Sequence, residues 1–195
     1  MASWTSEIVA WQAFCRAGGL SPGTVETRRH YLRQLARAHA DRDPWSLTVD
    51  DLVEFVAAER WSPQTRRCAR GACRSFYSWA RTTGRVTADP ALDLPKVRAP
   101  QGMPRPIPRH EFAAALARAD HRTRLMLCLG RFAGLRRAEI AGVHTDHVDA
   151  GTLRVLGKGA KVRHVPLHPE IARPLGLLPP GWAFPSATYP GRPLT

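Results

Sequence analysis

Residues 91–108 read Ala-Leu-Asp-Leu-Pro-Lys-Val-Arg-Ala-Pro-Gln-Gly-Met-Pro-Arg-Pro-Ile-Pro and hold five prolines and a glycine. Proline lacks a backbone N–H and fixes φ, so neither a helix interior nor a central strand survives that density. The stretch is therefore an extended, fairly stiff connection, and it divides the chain. A first domain is expected over residues 1–92, a linker over 93–108 and a second part over 109–195. A length of 195 residues admits that division into two small domains.

The first part reads as helical with short breaks. Ile8, Val9, Ala13 and Phe14 fall near helical spacing between about Thr5 and Arg16, and Gly18-Gly19 ends that run. Ser21-Pro22 fits an N-cap followed by proline at the first helical position. The helix it opens reaches about His39 and carries Val25, Leu32, Leu35 and Ala36 as its apolar stripe. Thr48 caps a third helix, with Asp50 and Asp51 in its first turn, where the helix dipole favours anions. Leu52, Val53, Phe55 and Val56 form its apolar face. Ser62-Pro63 opens a fourth, which runs to about Thr83 and stops at Gly84.

On a wheel of this fourth helix, Arg66, Arg67, Arg70, Arg74 and Arg81 fall within one arc of about 100°, and Tyr77 lies inside it. Cys68, Ala69, Ala72, Cys73, Phe76, Trp79 and Ala80 occupy a separate arc. No acid occurs between Glu59 and Asp89. A solvated face normally interleaves both signs, whereas an acid-free arginine stripe suffers a repulsion that phosphates would relieve. The stripe reads as DNA-facing rather than as an ordinary solvated face, and Lys96 and Arg98 extend it into the linker. The net charge of +13 points the same way. Only Lys96, Lys158 and Lys161 are lysines, so position carries this argument more than count.

Other classes recede. No apolar stretch reaches the ~18 residues of a membrane span, and Met1–Glu7 shows no basic-then-apolar signal. A cytoplasmic protein is expected, with no membrane partner. Cys15, Cys68, Cys73 and Cys128 form neither a CxxC pair nor a Cys/His ligand set, and read as buried or half-buried free thiols. His144 and His147 read as surface histidines rather than metal ligands.

In the second part a helix is expected from about Arg109 to Ala119. Another runs from about Arg122 to Ala133, with Leu125, Met126, Leu127, Leu129 and Phe132 making it largely buried, and Gly134 ends it. A short helix starts around Arg136 and includes Glu139 and Ile140. Thr152–Leu156 and Lys161–Leu167 flank a glycine-bearing loop and read as a β-hairpin. Residues 174–195 are rich in proline and glycine, with no evident closing element.

Gly134-Leu-Arg-Arg-Ala-Glu-Ile140, followed by Asp146, resembles the first arginine box of tyrosine recombinases, the phage-integrase family. Leu156-Gly-Lys158-Gly-Ala-Lys161-Val-Arg-His-Val-Pro-Leu167 resembles that family's lysine hairpin, and Phe184-Pro-Ser186 the short marker after it. The front half, with Phe76-Tyr-Ser-Trp79 and Asp89-Pro90, is similar to the family's helical core-binding domain. The resemblance implies a mainly α chain: a four-helix, SAM-like core-binding domain, then the N-terminal part of an α+β catalytic domain with a β-hairpin.

In that family a tyrosine hydroxyl attacks a DNA phosphodiester, forming a 3′-phosphotyrosyl link. Charge gathers on the non-bridging oxygens, which suits a fixed, forked guanidinium. The resemblance gives this role to Arg136, at a helix start where the dipole also favours anions. It gives Lys158 the proton for the departing 5′-oxygen, with Lys161 the nearest rival. Glu139 and Asp146 read as structural anions and Arg137 as outward-facing. Double-stranded DNA is the implied partner, further recombinase protomers are admitted, and neither a cofactor nor a small-molecule substrate is implied.

The family pattern continues with His-x-x-Arg, a later His or Trp, and the tyrosine. His30–Arg33 and His121–Arg124 precede the hairpin and are out of order. Tyr31 and Tyr77 lie in the helical part, and Tyr189 lies in a tail with nothing to fix an in-line attack. The expectation is a truncated recombinase that binds its site without cleaving it alone, with exposed apolar surface near Leu125–Leu135. The alternative is a non-catalytic, recombinase-derived protein that occupies attachment sites. A helix-turn-helix regulator fits the basic helices but not the lysine hairpin.

Overall fold

The computed structural model describes residues 2–58, 61–98, 100, 102–157, 159 and 161–194. The chain forms two compact units, Met1–Met103 and Pro104–Thr195.

The first unit is built from α1 (Trp4–Ala17), α2 (Pro22–Ala38), α3 (Val49–Ala57) and α4 (Pro63–Thr82). The starts obey the capping chemistry of the sequence. The Ser21 and Ser62 hydroxyls accept the Thr24 and Thr65 N–H groups, each with proline in the first turn. Thr48 and Asp51 close a reciprocal capping box on α3. Asp51 also accepts a 2.7 Å bond from Arg42, and these donors hold its carboxyl well below the usual carboxylate range. Trp11, Leu32, Leu35, Leu52 and Phe76 are fully buried at the centre.

A 3-10 turn at Pro44–Ser46, which the periodicity does not announce, lays Trp45 against Phe76 with ring centroids 5.4 Å apart. That turn corrects the placement of Tyr77. Tyr77 is fully buried, and its hydroxyl donates to the Pro44 carbonyl at 2.8 Å, so it is a core residue and not part of a DNA-facing surface. A wheel treats the helix in isolation, whereas the 44–46 turn folds over that flank of α4. Ala91 and Leu94 are buried in the same core, and Val97 packs against it.

The second unit contains α5 (Arg109–Arg118), α6 (His121–Phe132), α7 (Arg137–Ala141), β1 (Val148–Asp149), β2 (Thr152–Leu156), β3 (Val162–Pro166) and α8 (Pro169–Gly176). Asp120 caps α6 through the Thr123 N–H at 2.7 Å. Beyond α6, Gly134 takes φ +61°, which permits the sharp turn into the arginine box. The sheet is antiparallel in the order β1-β2-β3. Ala150 and Gly151 both have positive φ between β1 and β2, the backbone of a two-residue turn whose twist matches the strands. The longer β2–β3 register runs from Thr152↔Pro166 to Leu156↔Val162.

Three features depart from the sequence reading. A helix, α8, precedes the tail, seated by Ile171 and Leu175, which are buried. Its short length and the internal Pro174 hide the 3.6 period. The tail itself is pinned: Phe184 is fully buried, and the Ala183 N–H donates to the Val143 carbonyl at 2.9 Å. Leu125, Leu129 and Leu135 are buried, so the exposed apolar surface expected there is narrower. It consists of the 40%-exposed Phe132 and an open cavity of about 800 Å³ lined by Met126, Leu127, Ile140 and Leu194 among others. Among the described residues no helix is long and apolar enough to cross a membrane.

Candidate functional site

Two groups of residues carry the candidate chemistry, one in each unit. In the first unit the arginines of α4 are not equivalent. Arg67 and Arg81 are exposed, as are Lys96 and Arg98. Arg66, Arg70 and Arg74 are half-buried and spend donors on the backbone. Arg70 gives Nε and Nη2 to the Leu94 carbonyl at 3.1 and 2.8 Å, and Arg74 gives Nη1 to the Leu92 carbonyl at 3.1 Å. Arg66 reaches the Ala58 carbonyl at 3.3 Å, and its Nε is buried with no hydrogen-bond partner. These three therefore fasten the flanking segments to α4 while keeping their charge.

Among the described residues no carboxylate pairs with any of the five α4 arginines. The ion pairs of this unit lie elsewhere, as Arg29–Glu26, Arg42–Asp51 and Arg85–Glu7. Burial and the neighbouring Arg74 charge push the Arg70 guanidinium below its ordinary value. Burial is the larger cause and the Arg74 charge the smaller one. Arg28, on α2, was not singled out in the sequence. It donates to Ser75 Oγ at 3.0 Å beside α4 and lines, with Arg74 and Arg81, an open cavity of about 570 Å³. Only the packing of α2 on α4 reveals it.

In the second unit Arg136 is the residue before α7, and its side chain is 72% exposed. At the helix start the Arg136 N–H is taken by Glu139 Oε2 at 2.8 Å. α7 is also a five-residue helix, with little dipole to offer. What positions Arg136 is Glu139. That carboxylate has a side chain only 5% exposed and accepts Arg136 Nη1 at 3.1 Å. It also accepts both Nη atoms of Arg163, each at 2.9 Å. Arg163 first, then the Arg136 donors, hold the Glu139 carboxyl down at about 2.

Arg163 stands on β3 opposite Val155, and nothing in the sequence pattern couples it to a glutamate 24 residues earlier. Gly157, where the hairpin loop leaves β2, shows how close the approach is. A Cβ there would lie 3.2 Å from Arg163 Nη1 and 3.4 Å from Glu139 Oε1. The base of the lysine hairpin and the arginine box therefore meet at the Glu139 carboxylate. Lys158 lies outside the described residues. Lys161 is exposed, and its carbonyl accepts the Gly157 N–H at 2.8 Å.

The other candidates stand apart from this cluster. Asp146 is exposed, its N–H bonded to His144 Nδ1 at 3.3 Å. The His144 and His147 rings lie 5.5 Å apart, and no group of three potential metal ligands occurs among the described residues. Tyr189 is exposed, and Tyr31 packs edge-on to Trp61. Cys15, Cys73 and Cys128 are buried free thiols and Cys68 is half-buried. Burial pushes the Cys73 thiol up to about 12, which leaves it inert as a nucleophile.

No family model matches the chain. Curated relatives do. Tyrosine recombinase XerC of Xanthomonas campestris pv. campestris (strain B100) is 32% identical over 161 residues, which is 76% of this chain and 50% of the relative. Tyrosine recombinase XerC of Mycobacterium bovis (strain BCG / Pasteur 1173P2) is 33% identical over 163 residues, 73% of this chain and 55% of the relative. The chain thus spans about half the length of the curated relatives it matches. In fold it is similar to lambda integrase residues 75–356, solved as a dimer bound to a COC' core site. The TM-score is 0.75 at 14% identity, covering 98% of this chain and 75% of that one. With Gly134–Arg136, Glu139 and the lysine hairpin standing in the family's order, the chain belongs to the tyrosine recombinase (phage integrase) family.

Proposed function

We propose that this chain binds double-stranded DNA for site-specific recombination, gripping the duplex with the α4 arginines and presenting Arg136 to a backbone phosphate. In this reading Arg67, Arg81, Lys96 and Arg98 contact phosphates directly. Arg66, Arg70 and Arg74 supply charge from anchored positions. Lys158 serves as the proton donor of the same phosphate site, and further recombinase protomers are the protein partners. The observation that carries the reading is the contrast at Glu139: Arg163 is folded onto the carboxylate at 38% exposure, while Arg136 stands 72% exposed beside it. A guanidinium held at one edge and open elsewhere suits a non-bridging phosphate oxygen, where it stabilises developing charge.

The test is a suicide-substrate assay on a duplex site selected from a random DNA pool with the chain itself. Retention on DNA is measured across a salt series, and covalent protein–DNA adducts are scored on denaturing gels. Salt-dependent binding that weakens steeply with ionic strength, without an adduct, supports a DNA-gripping chain that carries part of the active site. An adduct formed by these residues alone would place a nucleophile among Tyr31, Tyr77 and Tyr189 and overturn the assignment of roles. Salt-insensitive or absent binding would overturn the reading altogether.

A further inference from the structure

We propose that Arg163 is a positioning residue: by neutralising Glu139 it keeps the Arg136 guanidinium available to an oxyanion. The inference rests on the reading of Arg136 as a phosphate-binding group and adds to it the residue that sets its readiness.

A carboxylate offers about four acceptor sites, and all four on Glu139 are filled. Oε1 takes Arg163 Nη1 and Arg136 Nη1, and Oε2 takes Arg163 Nη2 and the Arg136 backbone N–H. The shares are unequal. Arg163 makes the two-pronged contact, 2.9 Å on each side, and Arg136 lends only one guanidinium nitrogen, at 3.1 Å. The glutamate's single negative charge is met chiefly by Arg163, leaving a net positive charge for the three residues together. Four of the five Arg136 guanidinium N–H donors remain for an incoming anion.

Without Arg163 the same glutamate would face Arg136 alone. It would hold that guanidinium as an ordinary ion pair in competition with any phosphate. The pairing is built in rather than incidental. Arg163 is fixed in register on β3, and at Gly157 the chain bears no side chain where one would crowd Arg163 and touch Glu139.

The experiment titrates the full chain with inorganic sulfate and follows the Nε–Hε resonances of Arg136 and of the exposed Arg118 by NMR. In the wild type the Arg136 signal shifts on titration. In Arg163→Gln its sulfate midpoint rises about threefold, the scale of one partly exposed ion pair, while Arg118 is unchanged. In the double variant Glu139→Gln/Arg163→Gln, where the competing charge is also gone, the midpoint returns to the wild-type value. Arg163→Lys, which keeps the cation, stays near wild type, and Arg163→Met, which also removes it, serves in place of Arg163→Gln should the latter not fold. An Arg136 signal indifferent to sulfate in the wild type overturns the phosphate reading, and this inference with it. A wild-type response that Arg163→Gln leaves unaltered overturns the positioning role alone. So does a double variant as weak as the single one, because loss of packing is not rescued by removing the glutamate charge.

Discussion

Arg163 and Glu139 meet fork to fork, Nη1 on Oε1 and Nη2 on Oε2, both at 2.9 Å, across 24 residues of sequence. The pair ties the hairpin to the arginine box, and its cost and benefit depend on pH. The Glu139 carboxyl is held at about 2 against an ordinary value of 4.5. A depressed folded-state pKa contributes stability that is present above the unfolded value and is lost as pH falls toward the folded one. Glu139→Gln is therefore expected to cost about 2 kcal/mol near neutrality, after allowance for screening of the exposed Arg136 and the half-buried Arg163 guanidiniums. The deficit relative to wild type should shrink between about pH 5 and pH 2. Urea unfolding of both proteins across that range measures it, and a deficit that does not change with pH would contradict the ionic account.

Tyr77→Phe tests the burial of a residue whose helical position alone suggests a surface role. The hydroxyl donates to the Pro44 carbonyl inside the first unit, and the substitution removes this buried hydrogen bond. A loss of about 1–2 kcal/mol is expected in thermal or urea unfolding, with no change in the salt slope of DNA binding. A reduced salt slope at unchanged stability would return Tyr77 to the DNA-facing surface.

How far the sequence reaches depends on whether the determinant is local. The Ser21, Thr48 and Ser62 caps and the Gly134 turn are decided by neighbours within a few residues, and the helices begin and end where those residues put them. The wheel separates Arg67 and Arg81 from Phe76 and Trp79 for the same reason. What it misses is non-local. The 44–46 turn covers Tyr77, the carbonyls of 92 and 94 claim Arg74 and Arg70, and β3 brings Arg163 to Glu139. α8 is short, carries Pro174 in its interior and offers only the Ile171–Leu175 pair as an apolar repeat, too little to mark it. The arginine box is legible as a motif, but the carboxylate at its centre shows its second partner only once the sheet has formed.

The α4 arginines separate into two kinds by experiment. Arg67 and Arg81 are exposed and make no backbone anchor, so Arg67→Ala/Arg81→Ala should leave stability within about 0.5 kcal/mol. The same double variant should lower the slope of log K against log salt by about 1.8, two phosphate contacts' worth. Arg70→Ala removes both donors to the Leu94 carbonyl and is expected to lower stability as well as affinity. Fluorescence anisotropy with a labelled duplex over a salt series, paired with thermal unfolding, distinguishes the two kinds. Equal stability losses for both would show that the anchored and free arginines do not differ.

Gly157→Ala probes the meeting point of hairpin and arginine box with the smallest possible perturbation. The added methyl would stand 3.2 Å from Arg163 Nη1, 3.4 Å from Glu139 Oε1 and 3.4 Å from the Lys161 carbonyl. The guanidinium tip can yield, but it yields by leaving the carboxylate. Glu139 Oε1 and the Lys161 carbonyl, which accepts the Gly157 N–H at 2.8 Å, lie at ordinary contact distance, so the tight approach is to Arg163. Overpacking of this kind costs about 1 kcal/mol or more, and here the strain falls on the Glu139–Arg163 pair. The variant is expected to lose stability by about that amount. The loss should be reduced in an Arg163→Ala background, where the clash partner is absent. A double-mutant cycle read by urea unfolding gives the coupling directly. Strict additivity would mean that the methyl is accommodated without touching the pair, and that the closeness of the loop to Glu139 has no energetic consequence.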